Sequence, residues 1–308
     1  MSEKLSLDYL SPKFESIYDS IFVANGDSLD ILTSVKDESV DCVITDPPYF
    51  LDGMGNNWNT AELERKKNKA GVVGSLPVGM KFDPAQGLRL QEFMAKISVE
   101  VMRILKPGGF FLSFSQGRLY HRMAVAIEDA GFEIRDMCIW EREGQAKAFS
   151  QDHFVRKMKI SEEEKAEIIK RLDGRKTPQL KGLSEPIVIA QKPKDGTFVE
   201  NWMKYGVGLI DTSVSLDGKF PGTVMHVEKP KGKERREIDH MTVKPVVLIE
   251  HLIKLFSSTD AVICDPFLGS GTTAIACLKS GRKCIGIELD PHYYKEAFDR
   301  IVREGGEH

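Results

Sequence analysis

The stretch "DPFLGSGTTA" (265–274) limits how this chain can fold more than any other, because of where it stands. An apolar run, Ala261 to Cys264, precedes it, and a helical pattern to about Ser280 follows it. Between them Gly269-x-Gly271-x-x-Ala274 reads as a strand–turn–helix in which glycines let backbone approach a ligand at a helix N-terminus. Glu288 lies 19 residues beyond Gly269, at the end of the next strand-like run, where an acidic group can bond ribose hydroxyls. After Glu288 only about 20 residues remain, enough for one helix. A nucleotide-binding sheet needs several more strands than that, so they must come from earlier in the chain. The expectation is an α/β fold with a mostly parallel twisted sheet, circularly permuted so that the cofactor-binding strands are C-terminal.

The earlier chain supplies candidates. Strand-like runs stand at "SIFVANGD" (20–27), "VDCVITD" (40–46), "FFLSFS" (110–115), "FEIRDMCIWE" (132–141) and "PIVIAQKP" (186–193). Apolar residues at helical spacing fill 88–105, about 118–130 and Pro245 to Phe256, and a last helix is expected over 292–303. "KPGG" (106–109) is expected to end the first of these helices. Ser161 three residues before Glu164 signals a capped, exposed helix within the charged segment 142–184. Two ligand classes suit the glycine turn: a nicotinamide or flavin dinucleotide, and S-adenosylmethionine. A phosphate-cradling P-loop does not suit it, since no Lys precedes Thr272 or Thr273.

Composition narrows the class only a little. With 41% hydrophobic and 29% charged residues and a net charge of −3, the 308-residue chain reads as a soluble globular protein, and any nucleic-acid surface must come from local clustering. No segment approaches the roughly 20 apolar residues of a membrane span, and the polar N-terminus lacks the apolar core of a signal peptide. Cys42, Cys138, Cys264, Cys277 and Cys284 fall in apolar stretches without metal-ligand spacing. They are expected to be buried, reduced thiols of a cytoplasmic protein that holds no metal.

One strand ends oddly. "VDCVITDPPYF" (40–50) runs apolar and then stops at Asp46-Pro47-Pro48-Tyr49: a carboxylate, two residues without a backbone donor, and an aromatic ring. Asp-Pro is also ordinary turn chemistry.

Together these motifs resemble the β group of amino-DNA methyltransferases, in which a catalytic half precedes the cofactor half. Asp46-Pro47-Pro48-Tyr49 matches the family's catalytic tetrapeptide, and "DPFLGSGT" its cofactor turn. "DHMTVKP" (239–245) is similar to the element before that turn, with Met241 in place of the usual Pro, and "NGDSLDIL" (25–32) to the Gly-Asp element. "LKPGGFFLSFS" and "SEPIVIAQKP" match family strands in the same order. The resemblance covers nearly the whole chain, most weakly at 52–85 and 142–184. It implies a Rossmann-like methyltransferase fold with a catalytic half over 1–191, carrying insertions 52–85 and 142–184, a target-recognition region over 192–239 and an S-adenosylmethionine-binding half over 240–308.

It also implies a mechanism. An exocyclic amino nitrogen is a poor nucleophile because its lone pair is delocalised into the base. The Asp46 carboxylate and the Pro47 carbonyl would accept its two N–H groups and localise that lone pair. Pro47 and Pro48 would keep these acceptors rigid, and Tyr49 would stack on the extruded base. For the cofactor, the resemblance places Gly269, Ser270 and Gly271 under the methionine part, with Asp265 and Thr272 near its polar groups. It places Phe267 by the adenine, Glu288 on the ribose, Asp27 near the adenine amino group, and Thr242 and Lys244 at the carboxylate. Lys244 before Pro also suits a solvated helix start, and Gly26-Asp27 also suits a helix cap, so both keep a second reading.

The Asp of the tetrapeptide leans toward N6 of adenine over N4 of cytosine, which stays as the alternative. The absence of a Pro-Cys dipeptide excludes C5-cytosine chemistry. A dinucleotide-dependent oxidoreductase is the more distant alternative; it leaves Asp46 to Tyr49 unexplained. Double-stranded DNA is the implied substrate, with the basic run "EKPKGKERR" (228–236) on its phosphates and 52–80 as a flap. A homodimer and a cognate restriction nuclease are compatible partners; a membrane is not.

Overall fold

The computed structural model describes residues 10, 13–49, 83, 85–144, 146, 148–230 and 243–305. The expected flap (52–80), Thr242 and all of the basic run beyond Pro230 therefore lie outside the described residues.

Among the described residues nine strands form one sheet. In chain order they are β1 (Glu15–Ile17), β2 (Ile21–Asn25), β3 (Val40–Thr45), β4 (Leu105–Phe114), β5 (Glu133–Glu141), β6 (Ser184–Gln191), β7 (Val224–His226), β8 (Val262–Asp265) and β9 (Lys283–Glu288). In space the order is β1-β2-β9-β8-β3-β4-β6-β5-β7. β2, β9, β8, β3 and β4 run parallel, whereas β1 and β6 are antiparallel to their neighbours. The strands β2, β3 and β4 that flank the β8–β9 pair all precede it in sequence, as element counting required. The whole is an α/β fold with a mostly parallel mixed sheet.

β3 shows why the apolar run is continuous. It lies between β8 and β4, and all six of its residues are buried, as expected of a parallel strand covered on both faces. Its side chains serve two cores: Cys42 and Ile44 join one, Val40 and Val43 the other. The first core is closed by α7 (Val246–Phe256), α8 (Thr272–Ser280) and α9 (Pro291–Gly305). The second is closed by α1 (Ser28–Leu32), α2 (Gln86–Ile104) and α3 (Tyr120–Asp129). Asp41, the polar second residue of β3, is buried but fully used. It accepts from Lys106 Nζ at 2.6 Å and from the Val262 backbone N–H at 2.7 Å, tying the lower ends of β4, β3 and β8 together.

Sequence expectation and structure differ at "KPGG". It does not simply end a helix: β4 begins at Leu105, opposite Val40, and pairing resumes only at Phe110 opposite Cys42. The extra residues bulge from the ladder. Asn201 Nδ2 donates to the Pro107 carbonyl at 3.0 Å and Gln191 Nε2 to the Gly108 carbonyl at 2.9 Å, so the bulge is clasped from the side. Asn201 belongs to α6 (Phe198–Tyr205), a helix with a Thr197–Glu200 capping box. The Ser161–Glu164 box is present too, starting α5 (Glu162–Arg171); α4 (Asp152–Arg156) precedes it. All five cysteines are buried and free. Among the described residues no helix is long and apolar enough to cross a membrane.

Candidate active site

The two motifs meet. β3 and β8 are adjacent parallel strands, with Val43 opposite Cys264, so Asp46-Pro47-Pro48-Tyr49 and Asp265-Pro266-Phe267 leave the same edge of the sheet side by side. From this edge the chain of β8 turns through α8 to β9 on one side, and that of β3 leads to β4 on the other. Such a reversal opens a crevice at the carboxyl ends of parallel strands, where α/β sheets bind ligands.

Side chains fasten the two loops to each other. Thr45 Oγ1 donates to Asp265 Oδ1 at 2.7 Å across 220 residues of chain. The Phe267 backbone N–H donates to the same oxygen at 3.0 Å, and Thr273 Oγ1 donates to Oδ2 at 2.6 Å. Burial pushes the Asp265 carboxyl up to about 6 despite these donors. Asp265 thus knots the glycine turn to β3. Ser28 Oγ, at the start of α1, donates to the Pro266 carbonyl at 2.5 Å. Asp27 accepts from the Leu29 N–H at 2.8 Å as the N-cap of α1, so the capping reading of Gly26-Asp27 holds.

The glycine turn can cradle a nucleotide. Gly269 and Gly271 have φ of 55° and 80°, and α8 starts at Thr272 with no side chain capping its N-terminus. Its first N–H groups are therefore not taken by a cap. A Cβ on Gly271 would stand 3.3 Å from Ala297 and Ile301 of α9. This glycine permits helix packing behind the turn. Glu288 Oε2 accepts from the Gly269 N–H at 2.8 Å and Oε1 from the Asp290 N–H at 2.9 Å, which fixes the carboxylate beside the turn. Burial holds its pKa up at about 6. Phe267 packs on Phe93 of α2, ring centroids 5.6 Å apart.

Sequence reasoning passed over several supports. Arg300 of α9 is buried beneath the turn and donates to the Ser270 carbonyl at 3.0 Å, to Ser270 Oγ at 3.3 Å and to Thr272 Oγ1 at 3.1 Å. Gln86, at the start of α2, donates to the Tyr49 carbonyl at 2.6 Å and is itself held by Arg118 at 2.5 Å. Only the buried arginine carried a sequence signal, as the one basic residue on the inward stripe of the last helix.

Asp46 is partly buried. One carboxylate oxygen accepts from the Tyr49 hydroxyl and the other from Lys244 Nζ. Burial and the nearby Asp46 charge raise the Tyr49 pKa well above the usual phenol value. Lys244, expected at a cofactor carboxylate or on a solvated surface, is buried, which sets the solvated reading aside; it lies against Asp46, with Glu185 at 3.5 Å and the Phe114 ring centroid at 5.0 Å. The topology explains the placement. β6 runs antiparallel, so its first residues, Glu185 among them, stand at the same sheet edge as the last residues of β3 and β4. Burial alone would lower the Lys244 pKa, yet the Asp46 and Glu185 charges raise it overall, so the ammonium stays charged.

A DNA methylase family profile for N6 and N4 transfer matches residues 40–299. The chain belongs to this DNA methylase family. Among its relatives, the type II methyltransferase M.HindIII of Haemophilus influenzae is 28% identical over 91% of this chain and 94% of its own length. The type II methyltransferase M2.DpnII of Streptococcus pneumoniae is 26% identical over 92% and 90%. Two solved structures share the fold. The M1.HpyAVI–SAM complex has a TM-score of 0.54 at 21% identity, covering 91% of this chain and 98% of that one. The cytosine-N4-specific PvuII DNA methyltransferase has a TM-score of 0.58 at 17% identity, covering 94% and 92%. Family membership sets aside the dinucleotide-dependent oxidoreductase. The DNA methylase brings together two loops far apart in sequence, bonded through Thr45 and Asp265.

Proposed function

We propose that this DNA methylase methylates the exocyclic N6 of an extruded adenine within a specific sequence of double-stranded DNA, using S-adenosylmethionine. The sheet is read as that of the circularly permuted β group. One observation carries the reading: the Asp46-Pro47 loop leaves the strand that neighbours the glycine-turn strand, so a nucleophile held by one loop faces a donor held by the other. S-adenosylmethionine supplies an electrophilic methyl group when bound. Gly269, Ser270, Gly271 and Thr272 hold its methionine end, Glu288 its ribose, and Phe267 and Asp27 its adenine.

Asp46 and the Pro47 carbonyl accept the two N–H groups of the target amino group. The loop backbone that carries these acceptors is fixed by Gln86, which donates to the Tyr49 carbonyl. Pro48 stiffens the loop, and Tyr49 offers its ring to the extruded base. Residues 192–230, which include α6 and β7, form the described part of the target-recognition region. The Asp at position 46 supports adenine over cytosine by family resemblance.

The test is direct. The purified chain is incubated with S-adenosylmethionine and mixed-sequence DNA, and the DNA is digested to nucleosides for mass spectrometry. N6-methyldeoxyadenosine is expected; N4-methyldeoxycytidine in its place would overturn the adenine reading. Asp46→Ala should lower the transfer rate by about 10²–10⁴-fold while binding S-adenosylmethionine as before. Loss of cofactor binding in that variant would show that the chemistry lies elsewhere.

A further inference from the structure

Asp46 is fully engaged before any substrate arrives. Tyr49 occupies one oxygen and Lys244 the other, yet the transfer step asks this carboxylate to turn to the target amino group. That nitrogen becomes cationic as it takes the methyl group. If Lys244 kept its place, two positive charges would crowd one carboxylate, and like charges at such range repel strongly. The ammonium is buried and stays charged, so it needs another anion within reach rather than water.

Glu185 stands there. Its Oε2 is 3.5 Å from Lys244 Nζ, just longer than a hydrogen bond, while its Oε1 accepts from Arg142 Nε at 2.8 Å. Arg142 thus holds Glu185 in place without occupying the oxygen that faces Lys244. Beneath the ammonium, the Phe114 ring offers its face at 5.0 Å, a surface over which a cation can shift without losing all its contacts. Arg142, Glu185, Lys244 and Asp46 form a row of alternating charge with no net excess.

We propose that Glu185 is a positioning residue for methyl transfer: it takes over the Lys244 ammonium when Asp46 turns to the target amino group. No covalent bond changes and no proton leaves Lys244; one hydrogen bond is exchanged for another. Glu185 touches neither substrate nor cofactor and acts through Lys244. The inference rests on the proposed role of Asp46.

The experiment compares single-turnover methyl transfer to DNA by the parent, Glu185→Gln and Glu185→Asp, with S-adenosylmethionine affinity measured alongside. Glu185→Gln keeps an oxygen for Arg142 but loses the charge, and it should slow transfer about 10²-fold with cofactor affinity unchanged. Glu185→Asp keeps the charge at shorter reach and should fall between it and the parent. A purely structural bond to Arg142 predicts the reverse order, with Gln transferring faster than Asp. That order, a parental rate in Glu185→Gln, or loss of cofactor binding by Glu185→Gln would each overturn the inference. Asp46→Asn runs in parallel: if it transfers at the parental rate, the reading of Asp46 itself has failed, whereas a slow Asp46→Asn beside a fast Glu185→Gln removes only the role of Glu185.

Discussion

Acid should weaken S-adenosylmethionine binding through Glu288. Burial holds this carboxyl at about 6, so it is about 90% ionised at pH 7 and about 10% at pH 5. Ribose hydroxyls donate to a carboxylate. A protonated carboxyl presents a competing donor, and its two oxygens already serve the Gly269 and Asp290 N–H groups. If only the ionised form binds well, the Kd rises about tenfold between pH 7 and pH 5. The effect on folding has the opposite sign. A carboxyl raised from 4.5 to about 6 holds its proton more tightly in the folded chain than in the unfolded one. Its burial therefore costs roughly 2 kcal/mol above pH 6, and that penalty fades as the pH falls toward 4.5. Affinity lost in acid through Glu288 is thus not unfolding driven by Glu288. Calorimetric titrations between pH 5 and pH 8, with circular dichroism to confirm the fold, read the slope. Glu288→Gln should bind more weakly at pH 7 and show a nearly flat profile, and the comparison cancels any titration of the ligand. The reasoning is refuted if the parent profile is flat or if Glu288→Gln keeps the tenfold slope. The latter would shift control to Asp265, which also titrates at about 6.

Two further substitutions probe the turn. Gly271→Ala places a Cβ at φ 80° and 3.3 Å from Ala297 and Ile301, and should cost about 1–3 kcal/mol in urea unfolding; unchanged stability would mean that α9 yields freely. Arg300→Met removes three hydrogen bonds to Ser270 and Thr272 and strands Glu304, and should cost roughly 2–4 kcal/mol and weaken cofactor binding. Intact affinity in a folded Arg300→Met would show that the turn keeps its shape unaided.

Most of the framework was legible because buried parallel strands write themselves as apolar runs. "VDCVIT", "VICD" and "KCIGIE" became β3, β8 and β9, neighbours in the parallel part of the sheet. The helices with an apolar face or a cap signal also fell close to their expected bounds; α7 starts directly after Pro245, as read. What escaped was short or held by distant partners. β7 is three residues long and owes its place to β5, 80 or so positions earlier in the chain. β1 is likewise a three-residue strand on the sheet edge, and nothing in "ESI" marks it locally. The bulge after Leu105 depends on Gln191 and Asn201, and no local pattern in "KPGG" encodes those contacts. Site residues divide the same way. Asp46 and the glycine turn are marked by their own short motifs. The contacts of Lys244, Glu185 and Gln86 are with neighbours that only the sheet order supplies.

That sheet order also explains why chain order matters little to the site. β3 and β8 meet by lateral backbone pairing, which depends on register and direction but not on which strand is synthesised first. The carboxyl ends of two parallel neighbours always emerge on one edge, so the loops that follow them face each other whichever comes earlier. What must be kept is the bond between them. Thr45 is the last residue of its strand and Asp265 the last of the other, and their 2.7 Å hydrogen bond sets the two loops in a common frame. A glycine-turn strand placed after β3 in the chain therefore meets it as well as one placed before. The arrangement demands only that the long connection, here 46–261, return the chain to the neighbouring slot of the sheet, and β4, β6, β5 and β7 occupy the far side while it does so.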